Sequence, residues 1–178
     1  MRLRLYADED QWLTEAMECD PVVMAHLGGA LSPADIPPIH ARRLVHPADD
    51  VGYFVIIPDE ATGPVGTVGV WTIEAPGEVR YETGWMLLPA FQGRGIGSQA
   101  LAMVLDRAKA DSRVHTVHAF PNVENPASNG ICRKFGFELL GERDGEYAGR
   151  QFRTNHWRLD LGTYRPRSAP TSTGGPGS

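Results

Sequence analysis

Apolar and polar residues alternate from the first position. In MRLRLYA, Leu3 and Leu5 alternate with Arg2 and Arg4, a period of two that predicts a short strand with the leucines on one side. DEDQWLTEAMECD then changes to a helical spacing. Asp20 and Pro21 supply an N-cap followed by proline at the first helical position, and Gly28 and Gly29 would close the short segment VVMAHL. Ser32 and Pro33 open a second helical region through IHARRLV, which Pro37 and Pro38 are expected to interrupt.

From Val51 the pattern becomes that of strands. VGYFVIIP and GPVGTVGVWTI are rich in β-branched and aromatic residues around the turn DEATG, and a further turn, EAPGE, leads to VRYETGWMLL, so three antiparallel strands are expected. Ile96, Ala100, Leu101, Val104, Leu105 and Ala108 then recur on one helical face. The apolar VHTVHAF follows that helix, which predicts a crossover to a parallel strand. A helix over PASNGICRKF, ending at Gly136, and a hairpin of GFELLGER and RQFRTNHWRLDL around DGEYAG complete an α/β chain with a mixed, mostly antiparallel sheet of about seven strands and about four helices. Residues 1–161 are read as one domain, and residues 162–178, rich in Pro, Gly, Ser and Thr, as a disordered tail.

Composition narrows the function. The chain has 178 residues, 42% of them hydrophobic, enough for one core. The formal net charge of -5 argues against broad nucleic-acid or anionic-membrane binding, and the absence of a long apolar run or an apolar leader predicts a cytoplasmic protein with no membrane association. Cys19 and Cys132, far apart in sequence, suggest no disulfide framework, and the six histidines show no metal-binding spacing.

The stretch LLPAFQGRGIGSQAL carries the strongest chemical signal. A strand ending near Leu88 and a helix starting near Gly95 leave unpaired backbone N–H groups and a positive helix end beside Gly93, Gly95 and Gly97, as an anion site requires; a plain glycine-capped turn would share that glycine content. A P-loop would need a lysine where Gly97 is followed by Ser98 and Gln99, and a dinucleotide fingerprint would need G-x-G-x-x-G rather than G-x-G-x-G. QGRGIG resembles instead the Q/R-x-x-G-x-G/A signature of the GNAT superfamily of N-acetyltransferases. NPASNGICRKFGFELLGE resembles the segment that follows it in that superfamily, above all in the branch of the ribosomal-protein alanine N-acetyltransferases.

That resemblance implies acetyl-coenzyme A as co-substrate. Gln92, Gly93, Arg94, Gly95, Ile96, Gly97 and Ser98 would hold its diphosphate. Leu87 and Leu88 would offer backbone groups to the pantetheine arm in a gap between splayed strands, with a backbone N–H near Leu88 for the oxyanion, and Asn125 would bond near the same arm. Glu82, within YETGW, matches the catalytic base, and Ser128 the acid that protonates the leaving thiolate, unless Ser128 is only a helix-cap serine. Where many members carry a tyrosine acid this chain has Cys132, which leaves that role to Ser128 or to solvent.

A base matters in proportion to the amine. Deprotonation at pH 7 costs about 4.6 kcal/mol for a lysine-type amine and about 1.4 kcal/mol for an α-amine. The acceptor is expected between the first two helices and the last hairpin, and is either a protein N-terminus or a small amine such as a polyamine or aminoglycoside. Asp35, Asp144 and Glu146 are candidates to meet a cationic amine or are simply solvated; Trp71, Trp85 and Trp157 are expected in the core, although Trp85 lies close enough to Glu82 to wall an acceptor site. A non-catalytic acetyl-coenzyme A sensor is the alternative in another class, and a homodimer is compatible with the resemblance.

Overall fold

A computed structural model describes residues 1–45, 51–75 and 78–166. Seven strands form one sheet in the order β1-β2-β3-β4-β5-β7-β6: β1 Arg2–Leu5, β2 Gly52–Ile57, β3 Gly66–Ala75, β4 Glu78–Leu87, β5 Thr116–Ala119, β6 Glu138–Tyr147 and β7 Arg150–Asp160. Every neighbouring pair is antiparallel except β4 and β5, which the crossover helix makes parallel. The helices are α1 Gln11–Glu18, α2 Ile36–Leu44, α3 Ile96–Ala110 and α4 Pro126–Lys134.

The sheet is covered on both faces by different means. On one face Val68, Val70, Tyr81, Val117, Trp157 and Leu159 pack with the buried stripe of α3, and all six of the residues predicted for that stripe are buried. On the other face Tyr6, Leu13, Met17, Val55 and Ile57 bring α1 onto β1 and β2, and α1 packs on α2. Helices α1 and α2 cover only this end of the sheet, so the middle strands keep part of the second face for the cleft described below.

Four details depart from the sequence reading. Leu3 packs on the core but Leu5 is 52% exposed, and the residue after β1, Tyr6, is buried on the opposite, α1 side. Residues 21–28 form consecutive turns rather than a helix, although the cap chemistry is present: Asp20 Oδ1 accepts from Val22 N at 2.7 Å and Val23 N at 3.0 Å, and Gly28 and Gly29 both have positive φ. Pro37 and Pro38 do not interrupt α2. They sit in its first turn, where a backbone N–H has no helical partner to lose and the fixed proline φ already suits the helix. The final hairpin turns at Ala148 and Gly149 alone, with φ of 49° and 76°, so most of DGEYAG is strand.

The packed unit also runs past Leu161. Tyr164 is 5% exposed, its hydroxyl donates to Asp106 Oδ1 at 2.9 Å, and its carbonyl accepts from Lys109 Nζ. Residues 167–178, the bulk of the predicted tail, and Pro76 and Gly77 of the turn EAPGE lie outside the described residues.

Candidate active site

Strands β4 and β5 pair only at Tyr81 with Val117 and Glu82 with His118. Strand β4 continues to Leu87, whereas β5 ends at Ala119, so the two part beyond the pair and a cleft of about 1480 Å³ opens where a ladder would have been. Leu88 N donates to Val65 O, just ahead of β3, at 2.9 Å. By the alternation of an antiparallel ladder, Leu87 therefore turns its N–H and C=O to the opposite edge, toward the gap. The Leu87 carbonyl is met there by Gln92 Nε2 at 3.0 Å. Of the two leucines, Leu87 lines the cleft; Leu88 does not, and its N–H is already spent on Val65, which leaves Leu87 as the backbone N–H near Leu88 that faces the gap.

A short 3-10 turn, Pro89–Phe91, carries the chain from β4 to the glycine loop. Gly93 and Gly95 have φ of 69° and 77°, the left-handed region, and a Cβ at either would meet nothing within 4 Å, so backbone conformation rather than crowding calls for glycine at both. Gly95 is the N-cap of α3, has no side chain to cap it, and its carbonyl takes the first helical bond from Gln99 N at 3.1 Å. The amides of Ile96, Gly97 and Ser98 have no partner within the helix and stand at its positive end. Gln92, Gly93, Gly95, Ile96, Gly97 and Ser98 all line the cleft. Arg94 does not: its guanidinium lies over the Phe91 ring and 3.4 Å from Glu60, so only its backbone belongs to the loop.

The facing bank is the start of α4. Asn125 is its N-cap and accepts from Ser128 N at 3.0 Å, and both residues line the cleft. Asn129, buried, holds this turn to the sheet: its amide nitrogen donates to the carbonyls of Asn122 and Asn125, and its oxygen accepts from Asn155 at 2.8 Å and from Trp157 Nε1 at 2.9 Å. Cys132 is fully buried, outside the cleft, and burial pushes its thiol up to about 12.

Glu82 lies at the vertex where β4 and β5 part, and it faces the cleft. Burial pushes its carboxyl up to about 7, against the opposing pull of Arg143 and Arg42. Its carboxylate accepts no hydrogen bond from the described residues. Trp71, directly across from Glu82 in the β3–β4 register, lines the same space, and its ring lies where a Cβ on Gly84 would fall 2.8 Å away. Trp85 is an odd number of positions from Glu82 and so on the opposite face of β4, packed on the core toward α3 and Ile131 as expected; it lines the cleft from there, and the tryptophan directly across from the base is Trp71.

Beyond Glu82 the cleft is enclosed by side chains from distant parts of the chain. Arg43, 7% exposed, donates to Glu18 Oε1 at 2.5 Å and to Thr14 Oγ1 at 2.9 Å, and lies over the Tyr53 ring. Tyr147, near the tip of the β6–β7 hairpin, donates its hydroxyl to the same Glu18 oxygen at 2.7 Å, and burial raises its phenol above the usual range. Arg150 bonds to the carbonyls of Gly28, Gly29 and Ala30, so the hairpin tip and the 21–30 loop are joined. Asp35 is engaged in a capping box with Ser32, and Asp144 pairs with Arg153 at 2.8 Å; neither lines the cleft, and Glu146, which does, accepts from Gln151. Glu18, Arg43 and Tyr147 were not legible as a group, because nothing in their local sequence links them.

Known proteins resemble this arrangement. A family model described as an acetyltransferase (GNAT) domain matches residues 1–138. An L-methionine sulfoximine/L-methionine sulfone acetyltransferase of Pseudomonas aeruginosa is 30% identical over 132 residues, which cover 67% of this chain and 70% of that protein. Among solved structures, a ribosomal-protein-alanine N-acetyltransferase from Brucella melitensis superimposes with a TM-score of 0.71 at 19% identity, covering 90% of this chain and 99% of the other. A spermidine N-acetyltransferase from Vibrio cholerae, in complex with CoA and spermine, does so with a TM-score of 0.72 at 18% identity, covering 92% and 96%.

Proposed function

Because the chain belongs to the GNAT acetyltransferase family and is an N-acetyltransferase that uses acetyl-coenzyme A, we propose that it transfers the acetyl group in a single direct step to a primary amine, with Glu82 as the base. The observation that carries this reading is Glu82 itself, a carboxyl raised to about 7 at the point where the parted strands meet the cleft. A base with that pKa is half ionised near neutrality, and it accepts a proton from an ammonium more readily than an ordinary glutamate does.

Each bank of the cleft has a part in this reading. The amides at the start of α3, with the left-handed Gly93 and Gly95, hold the donor's diphosphate. The inward edge of β4 at Leu87 takes the pantetheine arm and offers its N–H to the carbonyl oxygen as negative charge develops there. The amine nitrogen bonds to the acetyl carbon, the carbon–sulfur bond breaks, the amine's proton goes to Glu82 directly or through water, and the thiolate takes a proton from Ser128 or from solvent. A thiolate with a pKa of about 8.5 leaves without strong acid help, so Ser128 is the lesser of the two residues. Cys132 is buried outside the cleft and takes no part.

The test is release of free thiol from acetyl-coenzyme A in the presence of a panel of amines. In the wild type, kcat/KM should rise with pH through about 7 as Glu82 ionises, and Glu82→Gln should remove that rise. A variant that keeps both the rate and the pH dependence would refute the assignment. The relatives' names span an L-methionine derivative, a ribosomal protein and a polyamine, so the acceptor's class has to be argued from the residues of this cleft.

A further inference from the structure

The charges at the acceptor end do not suit a polycation. Arg42 and Arg43 are adjacent in the last turn of α2, and both line the cleft, but they are used differently. Arg43 is buried, with its guanidinium committed to Glu18 and Thr14. Arg42 is exposed and makes no ion pair among the described residues. Its charge reaches Glu82, as does that of Arg143, whose guanidinium lies 4.9 Å from the Phe120 ring centroid. The only other carboxylate among the described lining residues is Glu146, which is exposed and accepts from Gln151. The two acids that would otherwise have attracted ammonium groups, Asp35 and Asp144, are tied up away from the cleft.

We propose that the acceptor is a small zwitterion, an amine carrying a carboxylate close to it, with the amine at Glu82 and the carboxylate at Arg42. This deepens the proposed transfer and rests on it. A guanidinium and a carboxylate that face one space and act on each other form a complementary pair for a molecule whose own ammonium and carboxylate are a few bonds apart. A spermidine-like chain would bring several positive charges to Arg42, with only Glu82 and the exposed Glu146 to receive them. The enclosure made by Arg150 on the 28–30 carbonyls and Tyr147 on Glu18 favours a small acceptor over a folded protein's terminus.

The experiment uses the full chain, acetyl-coenzyme A and three sets of acceptors: free α-amino acids with varied side chains, their carboxamides, and spermidine. The best amino acid should exceed its carboxamide in kcat/KM by about tenfold to a hundredfold, the range of one charged hydrogen-bonded contact, and should exceed spermidine as well. Arg42→Gln should bring the acid and the amide close together, mainly by raising KM for the acid, and Arg42→Lys should recover part of the difference. The side chain is exposed at a helix end, so unfolding midpoints of the variants should match the wild type. Equal use of acid and amide, preference for spermidine, or an Arg42→Gln loss that falls equally on acid and amide would overturn the proposal while leaving the transfer reading intact. Absence of thiol release with every amine would remove both.

Discussion

The two ends of the cleft are built from different materials. The end proposed for the donor is made of backbone: the amides that open α3, the left-handed glycines before them, and the edge of β4 at Leu87. The end proposed for the acceptor is made of side chains brought from α1, α2, β4 and the last hairpin, with Arg43 and Tyr147 both bonded to Glu18. A backbone site recognises what every acetyl-coenzyme A molecule shares, and tolerates side-chain change as long as φ is kept. A site of paired side chains recognises particulars, and loses its shape when one partner goes.

The largest expected effect therefore falls on the acceptor end. Glu18→Ala leaves the buried Arg43 guanidinium without its carboxylate and Tyr147 without its acceptor. Removing one partner of a buried ion pair costs about 3–5 kcal/mol, to be read as a lowered midpoint in chemical denaturation. Glu18→Ala together with Arg43→Met should be much less damaging than Glu18→Ala alone, because the double change strands no charge. If the single and double variants are equally unstable, the pair is not what holds this wall.

Next comes Glu82→Gln, expected to lower kcat/KM by about 10²-fold or more at pH 8, the range for loss of a general base. The same change has an opposite effect on stability. Glu82 is raised in the folded state to about 7 from an ordinary value of 4.5. Between those values the folded chain holds a proton that the unfolded chain has released, so wild-type stability falls as pH rises through this window and levels off above 7. The amide bears no charge to desolvate, so Glu82→Gln should follow a flatter curve, gaining on the wild type at pH 8 and little at pH 5. Parallel stability curves would mean that the carboxyl is solvated.

The same division explains what could be read beforehand. The glycine loop proposed for the donor is written in one contiguous stretch, Gln92 to Ser98, and local rules of turn and cap suffice for its shape; the six apolar positions of α3 likewise obey one period and are all buried. At the acceptor end Arg43 meets Glu18 across 25 positions and Tyr147 meets it across 129, distances at which neither spacing nor propensity carries information. Errors of local structure have their own causes. Ser32 and Pro33 do open the helical region, as a capped 3-10 turn over Pro33–Asp35, but the α-helix proper begins at Ile36, so Pro37 and Pro38 fall in its first turn and favour it rather than break it.

The glycines of the donor end allow the finest test, because the three are not equivalent. At Gly95, with φ of 77°, any L side chain is strained although no atom lies within 4 Å of a Cβ. Alanine there should cost about 1–2 kcal/mol, partly as weaker binding of coenzyme A by calorimetry, since relaxing the strain turns the α3 amides away. Gly97 differs. It lies inside α3 with no positive φ, and a Cβ would rest 3.6 Å from Leu87 Cδ1 and Trp85 Cδ1 and 3.7 Å from Ile131 Cδ1, ordinary contact distances. Gly97→Ala should therefore fold normally, gain up to about 1 kcal/mol from helix propensity, and change coenzyme A affinity by about twofold or less. A loss at Gly97 as large as that at Gly95 would mean that the diphosphate presses directly on the helix at that residue, and that closeness of approach, rather than left-handed backbone, is what the third glycine provides.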